Sequence, residues 1–259
     1  MDLQLKDKVA LVTAASTGLG LATARQLARE GAKVALCART QADLDTAVAQ
    51  IEGEGGQAVA FTTDLLDPDQ ISRLIEAVVA HYGRLDILIT NAGGPPGGTF
   101  DTADTVAWEN GFNLTLMSAV HLIKAALPHL RQSDAASILT ITSVSVLKPI
   151  AGLLLSNVMR PAVAGLTRTL ALELAPDNIR VNAILPGWTA TDRVVHIFED
   201  RAAKNNSSVE AEQRGIVQTI PLGRMADPAE FGRVATFLVS PAASYMTGVL
   251  LPVDGGSTI

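Results

Sequence analysis

Cysteine is nearly missing from this 259-residue chain: Cys37 stands alone, so no intramolecular disulfide can form. That usage suits a reducing compartment, and a cytoplasmic protein is expected. Within an apolar run, Cys37 reads as a small buried hydrophobe. Aromatic residues are also scarce, at 4% with two tyrosines and two tryptophans, so an interior must be built from aliphatic side chains. Basic residues are outnumbered, 20 to 26, and the net charge of −6 opposes a nucleic-acid or anionic-membrane partner. No apolar run of membrane-spanning length occurs, and the N-terminal "MDLQLKDKVALVT" lacks a secretory apolar region. No metal site is expected.

What is abundant is aliphatic sequence in alternating patterns. Hydrophobic residues make up 48% of the chain, enough to cover both faces of a sheet. Short apolar runs at 8–14, 33–39, 57–65, 85–94, 136–143, 179–187 and 249–256 read as strands. Helical spacing covers 17–31, 41–53, 68–82, 104–130, the stretch around 152–175, and 228–239. Strands that are apolar on both faces and separated by helices predict an α/β fold, with one doubly wound parallel sheet covered by helices on both sides. The whole of 1–259 reads as one domain. Residues 191–223 break the rhythm, polar and strandless, and are expected to form a flap or binding loop.

In such a sheet a ligand belongs at the carboxyl ends of the strands. The first strand-to-helix turn is "TAASTGLG" at 13–20, where Gly18 and Gly20 let backbone approach a diphosphate at a helix N-terminus. Ala14 stands where a first glycine would be expected. The second strand ends in Ala38 and Arg39 instead of an acid that would bind a ribose 2′-hydroxyl. Arg39 suits a 2′-phosphate, which favours NADP(H) over NAD(H).

Taken with "DL" at 64–65, "NAGG" at 91–94, "FNL" at 112–114, "ITSVS" at 141–145 and "PGWTAT" at 186–191, this turn resembles the short-chain dehydrogenase/reductase family, in the branch of the 3-oxoacyl-acyl-carrier-protein reductases. The resemblance runs from about residue 5 to 256 and implies a Rossmann-type fold. It implies cofactor contacts from Thr13, Ser16, Gly18, Leu19, Gly20 and Arg39, an adenine flanked by Asp64 and Leu65, and a cleft lined by Asn91, Ala92 and Gly93. Pro186, Gly187 and Thr189 would sit by the nicotinamide and Thr191 near the phosphates. Asn113 matches a water-holding asparagine and Ser143 the serine that binds the substrate carbonyl. The resemblance also implies a homotetramer or homodimer, built through the helices near 104–130 and 152–175.

The family has a tyrosine acid/base and a lysine where this chain has Ser156 and Arg160. A serine hydroxyl can donate a hydrogen bond but lacks the acidity of a phenol. An arginine keeps its charge and cannot trade a proton. The pair therefore retains electrostatics and loses acid/base capacity. His196, in the flap, and Lys148, near Ser143, are the other candidates for a pocket proton donor; Tyr82 and Tyr245 fit packing roles. Three readings follow: an NADP(H)-dependent reductase of carbonyls or acyl thioesters with a weakened acid/base site, a nucleotide-binding regulatory protein without turnover, or a non-redox elimination or isomerisation. Halohydrin dehalogenases are similar in carrying arginine at the position of Arg160, but they keep the tyrosine and lose the nucleotide loop that Gly18 and Gly20 preserve here.

Overall fold

The computed structural model describes residues 1–259. Seven parallel strands form one sheet: β1 (Val9–Thr13), β2 (Lys33–Ala38), β3 (Gln57–Thr62), β4 (Ile87–Thr90), β5 (Ser137–Ile141), β6 (Arg180–Pro186) and β7 (Leu250–Val253). Their spatial order is β3-β2-β1-β4-β5-β6-β7, so the winding reverses between β1 and β4. The helices are α1 (Gly18–Arg29), α2 (Gln41–Gly53), α3 (Pro68–Tyr82), α4 (Thr105–Phe112), α5 (Ser118–Leu130), α6 (Leu154–Glu173), α7 (Asp192–Asn205), α8 (Val209–Val217) and α9 (Pro228–Val239).

Strand pleating explains the two cores. Ala10 and Val12 of β1 point to the face covered by Ala24 and Leu27 of α1, Leu44 of α2 and Phe231 of α9. Val9 and Leu11 point to the opposite face, against Ile71 of α3, Leu122 of α5 and Ala171 of α6. Every residue of β1, β4 and β5 is buried, as strands sandwiched between helix layers must be.

Two segments differ from expectation. The helical stretch 104–130 is interrupted by a π-helical turn, Asn113–Met117, between α4 and α5. Such a turn winds in one extra residue and is frequent at functional sites. The polar segment 191–223 is not an irregular loop: it contains α7 and α8, whose buried residues are only Phe198 and Ala202 of α7. Their amphipathic spacing matches that of the core helices, but it is carried by a polar composition.

The turn after β1 pairs a strained alanine with a tightly fitted glycine. Ala14 adopts φ +46°, a left-handed conformation that costs a residue with a Cβ about 1–2 kcal/mol. A methyl group on Gly20 would stand 2.5 Å from the Ala14 carbonyl oxygen and 2.9 Å from Ala15 Cα, both backbone atoms. Opposite effects are expected: Ala14→Gly raises the melting temperature slightly, whereas Gly20→Ala costs about 1–3 kcal/mol, or roughly 2–4 °C for each kcal/mol. Thermal unfolding of the two variants beside the parent checks both signs.

Candidate active site

A cavity of about 700 Å³ opens along the carboxyl ends of the strands, across the point where the winding reverses. Ser16, Gly18 and Leu19 reach it from the β1–α1 turn, Arg39 from the end of β2, and Asp64 and Leu65 from beyond β3. Asn91, Ala92 and Gly93 follow β4, Ser143 follows β5, and Pro186, Gly187, Thr189 and Thr191 close or follow β6. Ser156 and Arg160 enter from α6, one helical turn apart. Two residues expected to touch a cofactor instead shape the turn that would. Thr13 is fully buried, and its hydroxyl donates to the Asn91 carbonyl at 2.6 Å and accepts the Asn91 N–H at 2.8 Å, tying β1 to the loop after β4. Gly20 serves the close approach of α1 to that turn.

Helix capping marks where anions fit. Away from the cavity, four helices are capped at their N-termini by side chains: Asp67 on α3, Asp104 on α4, Ser208 on α8 and Asp227 on α9. Helix α5 runs on from the π-helical turn without a side-chain cap. The N-cap residues of α1, α2 and α7 are Thr17, Thr40 and Thr191, none of which caps with its side chain, and all three line the cavity. Unsatisfied N–H groups and the positive end of each helix dipole therefore face the space where a dinucleotide's phosphates would lie. Gly18, at φ +57°, packs against Thr191 and brings two of these N-termini together. The residues present fit a dinucleotide.

At the other end the chemistry is unusual. Ser143 Oγ accepts the Ser145 N–H at 3.1 Å, which leaves its own O–H free to donate into the cavity. Arg160 is buried, and its Nη1 donates to the Ile141 carbonyl at 2.7 Å, while its Nε has no partner. Burial, and next the charge of Arg193, lower its pKa to about 10, so it remains cationic at neutral pH. Asn157 of α6 both accepts from the Ile150 N–H at 3.0 Å and donates to its carbonyl at 2.9 Å, clamping the loop that carries Ser143 toward α6. No histidine, cysteine, tyrosine, lysine or glutamate lines the cavity.

The remaining candidates lie elsewhere. Asn113 is exposed and outside the cavity wall. In the same π-helical turn it is Thr115 that is buried, with an unpartnered hydroxyl, and Leu114 that lines the cavity. His196 is exposed on α7, paired with Glu199 at 2.8 Å, a contact that raises its pKa and holds it away from the pocket. Lys148 is exposed and outside the wall. Tyr82 packs beside His81 and under β2, its hydroxyl 3.4 Å from the Val34 carbonyl. Tyr245, expected to pack, is fully exposed.

Three cavity features were not anticipated. Trp188 lines the wall and stacks on Phe198 with 5.6 Å between centroids, and the Arg201 guanidinium lies 5.2 Å over it. Arg201 also donates to the Ala151 carbonyl at 3.2 Å. Arg193 crosses to the loop after β4, donating to the Pro95 carbonyl at 2.9 Å. The unexplained tryptophan beside the nicotinamide loop and the arginine following Thr191 were the available signals.

A doubly wound parallel sheet, a phosphate-sized cradle at its switch point and a serine after β5 define a dinucleotide-dependent class of protein. The family model described as enoyl-(acyl carrier protein) reductase matches residues 13–258. The 3-oxoacyl-acyl-carrier-protein reductase of Thermotoga maritima is 32% identical over 257 residues, covering 99% of this chain and 100% of that one. L-sorbose reductase from Gluconobacter frateurii, solved with NADPH and L-sorbose, superposes with a TM-score of 0.94 at 30% identity, covering 100% and 99% of the two chains. An NADPH-bound short-chain oxidoreductase from Pseudomonas aeruginosa, described as containing an atypical catalytic center, gives a TM-score of 0.87 at 34% identity over 97% and 98%. The chain belongs to the short-chain dehydrogenase/reductase family and is an oxidoreductase of that family.

Proposed function

We propose that the protein is an NADP(H)-dependent reductase of carbonyl compounds, reversible toward the alcohols, in which water supplies the proton. The observation that carries this reading is one cavity holding both the phosphate cradle and the Ser143–Arg160 pair, with no histidine, cysteine, tyrosine, lysine or glutamate in its wall. The nicotinamide, when bound, supplies or accepts the hydride. Ser143 donates its hydroxyl to the substrate oxygen. Arg160, buried and cationic, stabilises negative charge developing there, worth most where water is excluded. Ser156 passes a hydrogen bond between that oxygen and water. Thr191 and α7 begin the proposed flap, whose Val194 and Ile197, with Ile150 and Leu153 opposite, give the cavity apolar wall for an aliphatic or acyl substrate. Assembly as a homotetramer or homodimer is part of the same proposal, supported by Val158 and Leu172 standing exposed on α6.

The preference for NADP(H) follows from Arg39 and Thr40 at the cavity's β2 end, where Arg39 forms no ion pair and α2 lacks a side-chain cap. NADPH oxidation above a protein-free control is expected with a panel of ketones and 3-oxoacyl thioesters, and NADH should be used less well. Arg39→Ala should weaken NADPH binding by about tenfold or more and leave NADH unchanged, since one charge-assisted contact is lost. Equal loss for both coenzymes would remove the 2′-phosphate from the reading.

A second reading is favoured by the same empty complement of proton donors: a coenzyme-binding protein without turnover. Calorimetric NADPH binding beside a silent substrate panel would select it.

A further inference from the structure

Two guanidinium groups line the reacting end of the cavity, and neither has a carboxylate partner. Arg160 is buried, spends one N–H on the Ile141 carbonyl and leaves Nε unpartnered. Arg193 stays accessible to solvent, but its guanidinium lies against Gly94, so closely that a Cβ there would overlap it, and its only protein bond is to the Pro95 carbonyl. Neither arginine belongs to any ion pair, although nine such pairs occur in the molecule. Of the aspartates in the wall, Asp43 and Asp64 belong to the β2–β3 end, and Asp192 pairs with neither arginine. The two cations repel each other enough that Arg193 contributes to lowering the Arg160 pKa. Like charges held together without compensation cost stability unless an anion joins them.

We infer that Arg160 and Arg193 form an anion clamp, and that the substrate carries a carboxylate or another anionic oxygen group beside its carbonyl. This rests on the reading of the cavity as a reductase site and narrows its substrates. The coenzyme's diphosphate is the other anion near at hand, but it already has the uncapped N-termini of α1 and α7 and the Gly18 turn, whereas the Arg193 side chain reaches away from them to the Pro95 carbonyl. Arg160 stands apart from that turn, beneath β5 and one helical turn from Ser156. Guanidinium pairs suit planar carboxylates because two parallel N–H groups meet two oxygens.

Malonate and malonamide, alike in shape, different in charge and inert to reduction, separate this clamp from catalysis. With the protein saturated by NADP⁺, calorimetry should show malonate binding about tenfold or more tightly than malonamide, the difference expected of one charge-assisted contact. Arg193→Met should abolish that preference and leave the NADPH dissociation constant within about twofold, while Arg193→Lys should keep much of the preference. Melting temperatures of both variants establish that they are folded. Equal binding of malonate and malonamide overturns the clamp. So does an Arg193→Met protein that keeps its malonate preference, or one that loses NADPH by about tenfold, which would assign the arginine to the coenzyme. Should no coenzyme bind at all, the same titration on the coenzyme-free protein still tests the clamp, and only the reductase reading falls.

Discussion

Restoring a phenol and an ammonium together, Ser156→Tyr with Arg160→Lys, is expected to raise kcat for carbonyl reduction by about 10²–10⁴-fold, the usual worth of positioned acid/base help. Both residues rise from one face of α6 into the cavity, so a tyrosine at 156 would project into the space that the serine leaves open. A lysine at 160 would place its charge near the phenol and lower the phenol's pKa toward the working range. The pH profile gives a second readout. With no histidine, cysteine, tyrosine, lysine or glutamate in the wall and the Arg160 pKa lowered only to about 10, kcat of the parent should be flat between roughly pH 6 and 9. The double variant should acquire a dependence: reduction needs the protonated phenol, so kcat should fall as pH rises through the new pKa. An unchanged rate and a flat profile in a well-folded double variant would mean that the proton transfer does not pass through position 156.

Ser143→Ala should lower kcat by about 10²–10³-fold with little change in NADPH affinity, because a donor aimed at developing charge is lost while the phosphate cradle stays intact. On the proposed reading the serine should matter more here than it would beside a phenol, since no tyrosine lines the cavity. Stopped-flow measurement of the hydride step separates the two terms: the amplitude reports coenzyme bound, the rate reports chemistry. A loss confined to KM would make Ser143 a binding residue only.

Much of this architecture was visible in the order of residues. Fully buried strands such as "VALVT" and "SILTI" read as unbroken apolar runs, and α2 spans 41–53 as its spacing implies. The Gly18 turn, Arg39, Ser143, Ser156 and Arg160 all reach one cavity, because βα turns and the helix after β5 converge at the carboxyl edge whatever the details of packing. Asn113 lies outside the cavity wall for a local reason. Buried residues of α5 recur at 130, 126, 123, 122, 119 and 118, and the same spacing continued backward meets Thr115 and Gly111 while passing over Asn113. A three-residue motif does not fix the face on which its residues lie, and a π-helical turn leaves no strong mark in sequence. The Arg193 and Arg201 contacts were beyond reach because they join α7 to loops about 50 to 100 residues distant, and helical spacing marks a packing face without naming its partners.

The reversal of winding between β1 and β4 has a further consequence. Strands β1, β2 and β3 bring Gly18, Arg39 and Asp64 to one half of the cavity, whereas Ser143, Ser156 and Arg160 arrive on the later half of the chain. On the proposed reading, the Ser143, Ser156 and Arg160 stretch is separate from the Gly18 turn, although Pro186 to Thr191 returns to the same cavity from the end of β6. A change of side chain at position 156, which faces the cavity and belongs to neither hydrophobic layer, would therefore leave the Gly18 turn and both layers untouched.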